Sequence, residues 1–153
     1  MKYYRLLGKE HEKNPLGYGK AGARWNLRGT PMIYASNFSS ISFMELLCIK
    51  GPLVATTSWI LISLAVSGDI SYLNPSDLPP DWNHRPYPPS TQEFGTNWAL
   101  NLTTPFLKVP SCRIPISGYP NEHNLLINPL HPDMTKLIRI IAIEDVSFEL
   151  NKW

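Results

Sequence analysis

The sequence predicts a single compact α+β domain, strand-rich with two main helices, and three observations lead there. A chain of 153 residues with 43% hydrophobic and 17% charged side chains is long and apolar enough for one real core. Short runs of β-branched, aromatic and aliphatic residues recur along it, bounded by glycine, proline, asparagine and serine. Only two segments combine a helix-start signal with enough uninterrupted length for a helix. Strands in the majority with two segregated helices give α+β.

Residues 3–7 are the first strand candidate, and 10–29 read as loop from their glycine and polar content. MIYA at 32–35 is a compact strand just after Pro31. Ser39 and Ser40 are the expected N-caps of a helix running to about residue 49. Residues 54–66 read as one long or two broken strands, with 70–73 a continuation after Gly68. The proline-rich stretch 75–89 is expected to be an ordered loop, because Trp82 and Tyr87 give it apolar surface to bury. Ser90-Thr91-Gln92-Glu93 has the form of a capping box opening the second helix, to about residue 102. Further strands are expected at 106–109, 113–116, 125–127, 137–143 and near 146–150.

Net charge is only +2, with the basic residues scattered, which gives little support to an extended nucleic-acid footprint. The start MKYYRLLGKE lacks an apolar signal region, and the longest apolar run, 59–66, is far short of a bilayer span. A cytoplasmic protein is expected, with Cys48 and Cys112 as reduced, buried thiols. His11, His84, His123 and His131 show no metal-ligand spacing, so no metal is expected.

Two features stand out as candidate chemistry. GARWNLRGTP at 22–31 sets Arg24 in a glycine-bracketed loop, where backbone can approach a ligand closely and a planar guanidinium can grip an anion in bidentate fashion. A solvated loop arginine is the plain alternative. In the first helix, Glu45 is the only carboxylate, and helical spacing puts it on an apolar stripe with Ile41, Met44 and Cys48. Such a group either pairs with a cation or faces a cleft where its charge is used. Tyr34, mid-strand before that helix, is a core aromatic or a ring face for a flat or cationic ligand. Trp25 and Trp98 read as anchors for the loop and the second helix.

GARWNLRGTPMIYAS followed by SISFMELL, then PSTQEFGTNWA, LKVPSCRIP and EHNLLINPLHPD, resembles the RES domain family in order and over nearly the whole chain. The resemblance implies one RES-like domain over residues 1–153 and a fold similar to ADP-ribosyltransferase toxins. It also implies NAD as substrate rather than cofactor, and a role as the toxin of a toxin-antitoxin pair with an Xre-like antitoxin partner. Members consume NAD, splitting it with water or phosphate or transferring ADP-ribose to a protein. Carried onto this sequence, the site is Arg24, Tyr34 and Glu45, with Ser111 and Asn124 as further substrate-binding residues. Ala23 departs from the family's frequent second glycine, and Leu27-Arg28 from its frequent prolines.

These residue types suit that chemistry. Breaking the nicotinamide-ribose bond develops positive charge on the sugar, which a nearby carboxylate such as Glu45 favours. Tyr34 can stack on the positive nicotinamide ring, and Arg24 can neutralise the pyrophosphate or orient the ribose. Two rivals differ in class: an RNA-cleaving toxin using Arg24, Arg28, Tyr34 and His84 or His123, and an interaction module without catalysis. The first needs a basic groove that +2 scarcely provides.

Overall fold

The computed structural model describes residues 1–151; the last two positions of the expected domain, 152 and 153, lie outside it. Its centre is an antiparallel trio, β1 (Lys2–Gly8) between β2 (Ile33–Ser36) and β3 (Trp59–Val66). Beyond β2 lie β6 (Asn124–Ile127), β5 (Phe106–Val109) and the two-residue β4 (Ser71–Tyr72); beyond β3 lies β7 (Ile138–Val146). All pairings are antiparallel except β4 with β5.

Period-two alternation decides what each strand contributes. Tyr3, Ile33, Ala35, Ile60, Ile62, Leu64, Leu125 and Ile127 enter one buried cluster with Phe106, Met134 and Ile138. No side chain of the two long helices, α1 (Ser39–Lys50) and α2 (Pro89–Asn101), belongs to it. The sheet therefore covers this face largely by itself, with Leu16, Ile70 and Leu137 at the margins. The opposite face carries Tyr34, Leu107 and Leu126 into a second cluster with Trp25, Phe94, Trp98 and Ala99. Strands on one side and two long helices on the other make the domain α+β, as the sequence predicts.

Several local expectations are corrected. Neither Ser39-Ser40 nor the Ser90-Thr91-Gln92-Glu93 box caps its helix: α1 begins after Phe38 and α2 after Pro88, both without a side-chain cap. At the second helix the hydroxyls are engaged elsewhere, Ser90 donating to Asp81 Oδ1 at 2.5 Å and Thr91 back to the Pro88 carbonyl at 3.1 Å. The second helix starts instead on Pro89, whose fixed φ and missing N–H suit a first helical turn. Residues 54–56 belong to a 3-10 helix (Gly51–Thr56), so only the second part of 54–66 is strand. Residues 113–116 are not a strand but run from a turn into the 3-10 segment Ile116–Gly118. A short helix α3 (Met134–Leu137) precedes β7, which continues to Val146; residues 147–150 form no separate strand.

The thiols also depart from expectation. Cys112, in the turn after β5, is half-buried, and Cys48 is exposed because the helix stripe is narrower than its composition suggests. Ile41 and Ser42 face the sheet, where the Ser42 hydroxyl donates to the Tyr4 carbonyl at 3.1 Å, while Met44 and Cys48 point to solvent. Among the described residues no helix is long and apolar enough to cross a membrane.

His123 is a structural residue of this fold. It is buried, with Nε2 3.0 Å from the Tyr3 hydroxyl and Nδ1 2.7 Å from the Pro120 carbonyl. These partners fit a neutral ring with the proton on Nδ1 and Tyr3 donating to Nε2. Burial holds its pKa below the ordinary 6.5, against the opposing pull of the Pro120 carbonyl. Below that value the unfolded chain binds more protons than the folded one. The stability this residue contributes is thus fully present above pH 6.5 and is lost as pH falls toward the depressed folded value. Thermal melts from about pH 7 down to about pH 5 should show a falling Tm, with a shallower slope in a folded His123→Gln variant.

Candidate active site

The register of the sheet assembles the site. Tyr4 on β1 lies opposite Ser36 on β2, and Ser36 opposite Asn124 on β6. Residues in register share a face, so Ser36 and Asn124 stand side by side under α1. The Ser36 hydroxyl donates to Asn124 Oδ1 at 2.7 Å, which orients the amide so that Asn124 Nδ2 donates to Glu45 Oε1 at 2.9 Å. Ser111, buried in the turn after β5, donates its hydroxyl to the same oxygen at 2.6 Å. In turn the Ser111 oxygen accepts from the Arg113 backbone N–H at 3.1 Å. The lone helix carboxylate is thereby fixed through Oε1 by two neutral donors.

Its second oxygen faces a cation. Arg113 Nε lies 3.4 Å from Glu45 Oε2, and both side chains are mostly buried, 16% and 26% exposed. The contact is ionic without hydrogen-bond alignment, since Nε is buried and makes no hydrogen bond among the described residues. Of the two alternatives for Glu45, pairing with a cation or facing a cleft, both hold. Glu45 forms part of the wall of a cavity of about 270 Å³, shared with Arg24, Tyr34, Tyr87, Arg113 and Asn124. That volume lies near the lower end of small-molecule sites.

The loop 22–31 is held by an isolated antiparallel bridge between Ala23 and Asn26, by a few backbone bonds and by side chains. Asn26, buried, donates to the carbonyls of Thr30 at 3.0 Å and Ala21 at 3.3 Å. Its Oδ1 accepts from the Tyr34 hydroxyl at 2.5 Å, and the Tyr34 oxygen accepts from the Trp25 N–H at 3.2 Å. Tyr34 is thus both a wall of the cavity and the clamp of the loop that carries Arg24. Burial pushes its phenol well above the ordinary range, so it remains a donor at any working pH. Tyr34→Phe leaves Asn26 Oδ1 and the Trp25 N–H short of a partner, and should cost about 1–3 kcal/mol of stability, measurable by urea denaturation. A variant as stable as the parent would mean that the clamp is not made.

Arg24 is half-buried and already engaged. Its Nη1 donates to the carbonyls of Trp82 at 2.7 Å and His84 at 3.0 Å, and its guanidinium lies over the Tyr87 ring at 5.0 Å. It ties the segment before α2 to the 22–31 loop, and Tyr87 of that segment lines the cavity, while the rest of its fork is suited to grip an anion. Trp25 and Trp98 are anchors as expected: Trp25 is buried edge-on against Phe94, and Trp98 donates to Thr104 Oγ1 at 3.3 Å. Arg28 and Lys20 are exposed.

The structure brings Arg24, Tyr34, Glu45 and Asn124 to one cavity, with Ser111 directly behind Glu45. Sequence reasoning missed Arg113 and Tyr87, both on the wall. Tyr87 was legible only as an aromatic of the loop. Arg113 was masked by being read as strand, although a proline on either side, Pro110 and Pro115, was a signal of turn.

The sequence and the fold are similar to those of known proteins. The RES domain family matches residues 2–151. "Toxin Res" of Yersinia enterocolitica is 30% identical over 152 residues, covering 97% of this chain and 95% of that protein. "Prs ADP-ribosylating toxin" of Sphingobium sp. is 30% identical over 116 residues, 73% and 69% of the two chains. "Toxin Res" of Photorhabdus laumondii is 31% identical over 130 residues, 84% and 80% of the two chains. A solved structure, the MbcT-MbcA toxin-antitoxin complex of M. tuberculosis, shares the fold with a TM-score of 0.72 at 16% identity, covering 95% of this chain and 84% of that chain. With the match running from one end of the described sheet to the other, the chain belongs to the RES domain family.

Proposed function

We propose that this protein is the toxin of a toxin-antitoxin pair, acts in the cytoplasm, and consumes NAD by breaking the bond between nicotinamide and ribose. The observation that carries this reading is Glu45, a carboxylate fixed through one oxygen by Ser111 and Asn124 and presented on a cavity wall. The relatives in Yersinia and Photorhabdus are named as toxins and the Sphingobium relative as an ADP-ribosylating toxin, which supports the toxin role and a chemistry centred on ADP-ribose.

In this reading the C–N bond breaks with its electrons passing to the nicotinamide ring, which leaves neutral. Positive charge develops on the ribose carbon, and Glu45, preorganised in a half-buried setting, stabilises it. An oxygen of water or phosphate then takes the bond, and its proton is lost to solvent or to Glu45. Tyr34 offers its ring to the nicotinamide, Asn124 orients Glu45 and a ribose hydroxyl, and Arg24, held against Tyr87, meets the pyrophosphate. The partner is an Xre-like antitoxin carrying its own DNA-binding module.

A second reading has a specific observation in its favour: the Sphingobium relative is named an ADP-ribosylating toxin, so the acceptor could be a cellular protein. RNA cleavage fits less well, because His123 is buried and committed to Tyr3 and Pro120. Mass spectrometry of products after adding NAD, with and without phosphate and with cell extract, separates these cases. Free nicotinamide is expected, with ADP-ribose, its phosphate or a labelled protein identifying the acceptor. Intact NAD alongside shortened RNA would reject the proposal.

A further inference from the structure

Arg113 stands where a positively charged ligand would have to go. Glu45 Oε1 is occupied by the Ser111 and Asn124 donors, so Oε2 is the oxygen left to face the cavity, and Arg113 Nε lies 3.4 Å from it. That contact carries charge attraction but no aligned hydrogen bond. It is therefore cheaper to break than a bidentate pair would be.

The guanidinium also has somewhere to move. Cys112 and Arg113 form a partition, lining both the Glu45 cavity and a neighbouring one of about 390 Å³. The second cavity is walled by Trp82, Asn83, Ile114, Pro115 and Ile116. Trp82 and Asn83 on its wall are residue types that can give a displaced guanidinium a cation–π contact and an acceptor. We infer that Arg113 is a resident counter-ion that competes with a cationic ligand for Glu45 Oε2 and withdraws into the neighbouring cavity when that ligand binds.

This deepens the NAD reading and rests on it for the identity of the ligand. It makes Arg113 a specificity-determining residue: a ring must bring enough positive charge to displace the arginine, and a neutral ring of the same shape gains nothing at Oε2. Two probes that are not consumed test it by calorimetric titration. They are N-methylnicotinamide cation, which has the charged ring without a ribose bond to break, and neutral nicotinamide.

Arg113→Met should bind the cation about tenfold more tightly than the parent, the scale of removing one like charge a few ångströms away in a partly screened site. Neutral nicotinamide should bind both alike, and Arg113→Lys should keep the parent's preference, whereas a merely structural role would move both probes together. A folded Arg113→Met protein with unchanged cation affinity overturns the competition. A further arm is independent of nicotinamide: Arg113→Ala should bind methylguanidinium saturably where the parent does not, and should lose that binding when Glu45→Gln is added. If neither ring binds any variant, the methylguanidinium result decides. Binding confined to Arg113→Ala supports the counter-ion role while the NAD reading fails, and its absence overturns the inference.

Discussion

Glu45→Gln is expected to slow nicotinamide release from NAD by about a hundredfold or more, the scale of a preorganised charged group acting on a transition state. The substitution isolates charge from shape. Glutamine can still accept the Ser111 hydroxyl proton and the Asn124 amide proton through its remaining oxygen, the two contacts that position the native side chain at 2.6 and 2.9 Å. What it loses is the negative charge offered to the developing ribose cation, together with the partner of Arg113. The loss should fall mainly on kcat, because charge on the sugar is larger in the transition state than in bound NAD. Initial rates over a range of NAD concentrations, paired with a thermal melt, give both quantities. A folded variant that turns NAD over at the parent's rate would remove Glu45 from the chemistry and leave it a structural ion pair.

The same residue shows how far the sequence could be read. A single carboxylate in an apolar helix is a local anomaly, and local anomalies are visible in one dimension. Its partners were harder to see. Ser36 and Asn124 meet only because β2 and β6, separated by nearly ninety positions, are neighbours in register, and no local pattern states the order of strands in a sheet. Arg113 was hidden because its neighbours Cys112, Ile114 and Ile116 have strand-like character, while the Ser111 side chain that bonds the Arg113 N–H sets a turn there instead. The capping box of α2 misleads for a related reason: serine and threonine signal a start only when the hydroxyl is free, and here Ser90 and Thr91 are bonded to Asp81 and Pro88. Apolar composition on nearly every side of α1 likewise leaves its buried face ambiguous, so that helical spacing groups Met44 and Cys48 with Ile41 although both are exposed.

Gly95→Ala should be the most damaging single-methyl change in the protein, although it replaces a poor helix former by the best one inside α2. Propensity alone would favour alanine by about 1 kcal/mol. Against that, a Cβ at position 95 would sit 1.8 Å from the Trp25 carbonyl oxygen and 2.8 Å from its carbonyl carbon. The atoms in the way are backbone, so no rotamer change relieves the overlap. Nor can the loop readily lift off, because α2 grips it on both sides of the contact: Gln92 Nε2 donates to the Ala23 carbonyl at 3.0 Å, and Thr96 Oγ1 accepts from the Leu27 N–H at 2.9 Å. Positions 92, 95 and 96 lie on one helical face and form the seat for the loop that carries Arg24 and Trp25. Separating helix from loop would break those bonds and uncover Trp25, so the expected cost is several kcal/mol out of a total near 5–15. Any folded remainder should lose NAD turnover as well, since Arg24 and Trp25 line the cavity. Gly19→Ala is the matched control, because the nearest atom to its added methyl is 4.0 Å away, and it should melt with the parent. Denaturant unfolding of the two variants side by side decides the matter: a Gly95→Ala protein as stable as the control would mean that the seat yields, and that the loop is positioned by Tyr34 and Asn26 alone.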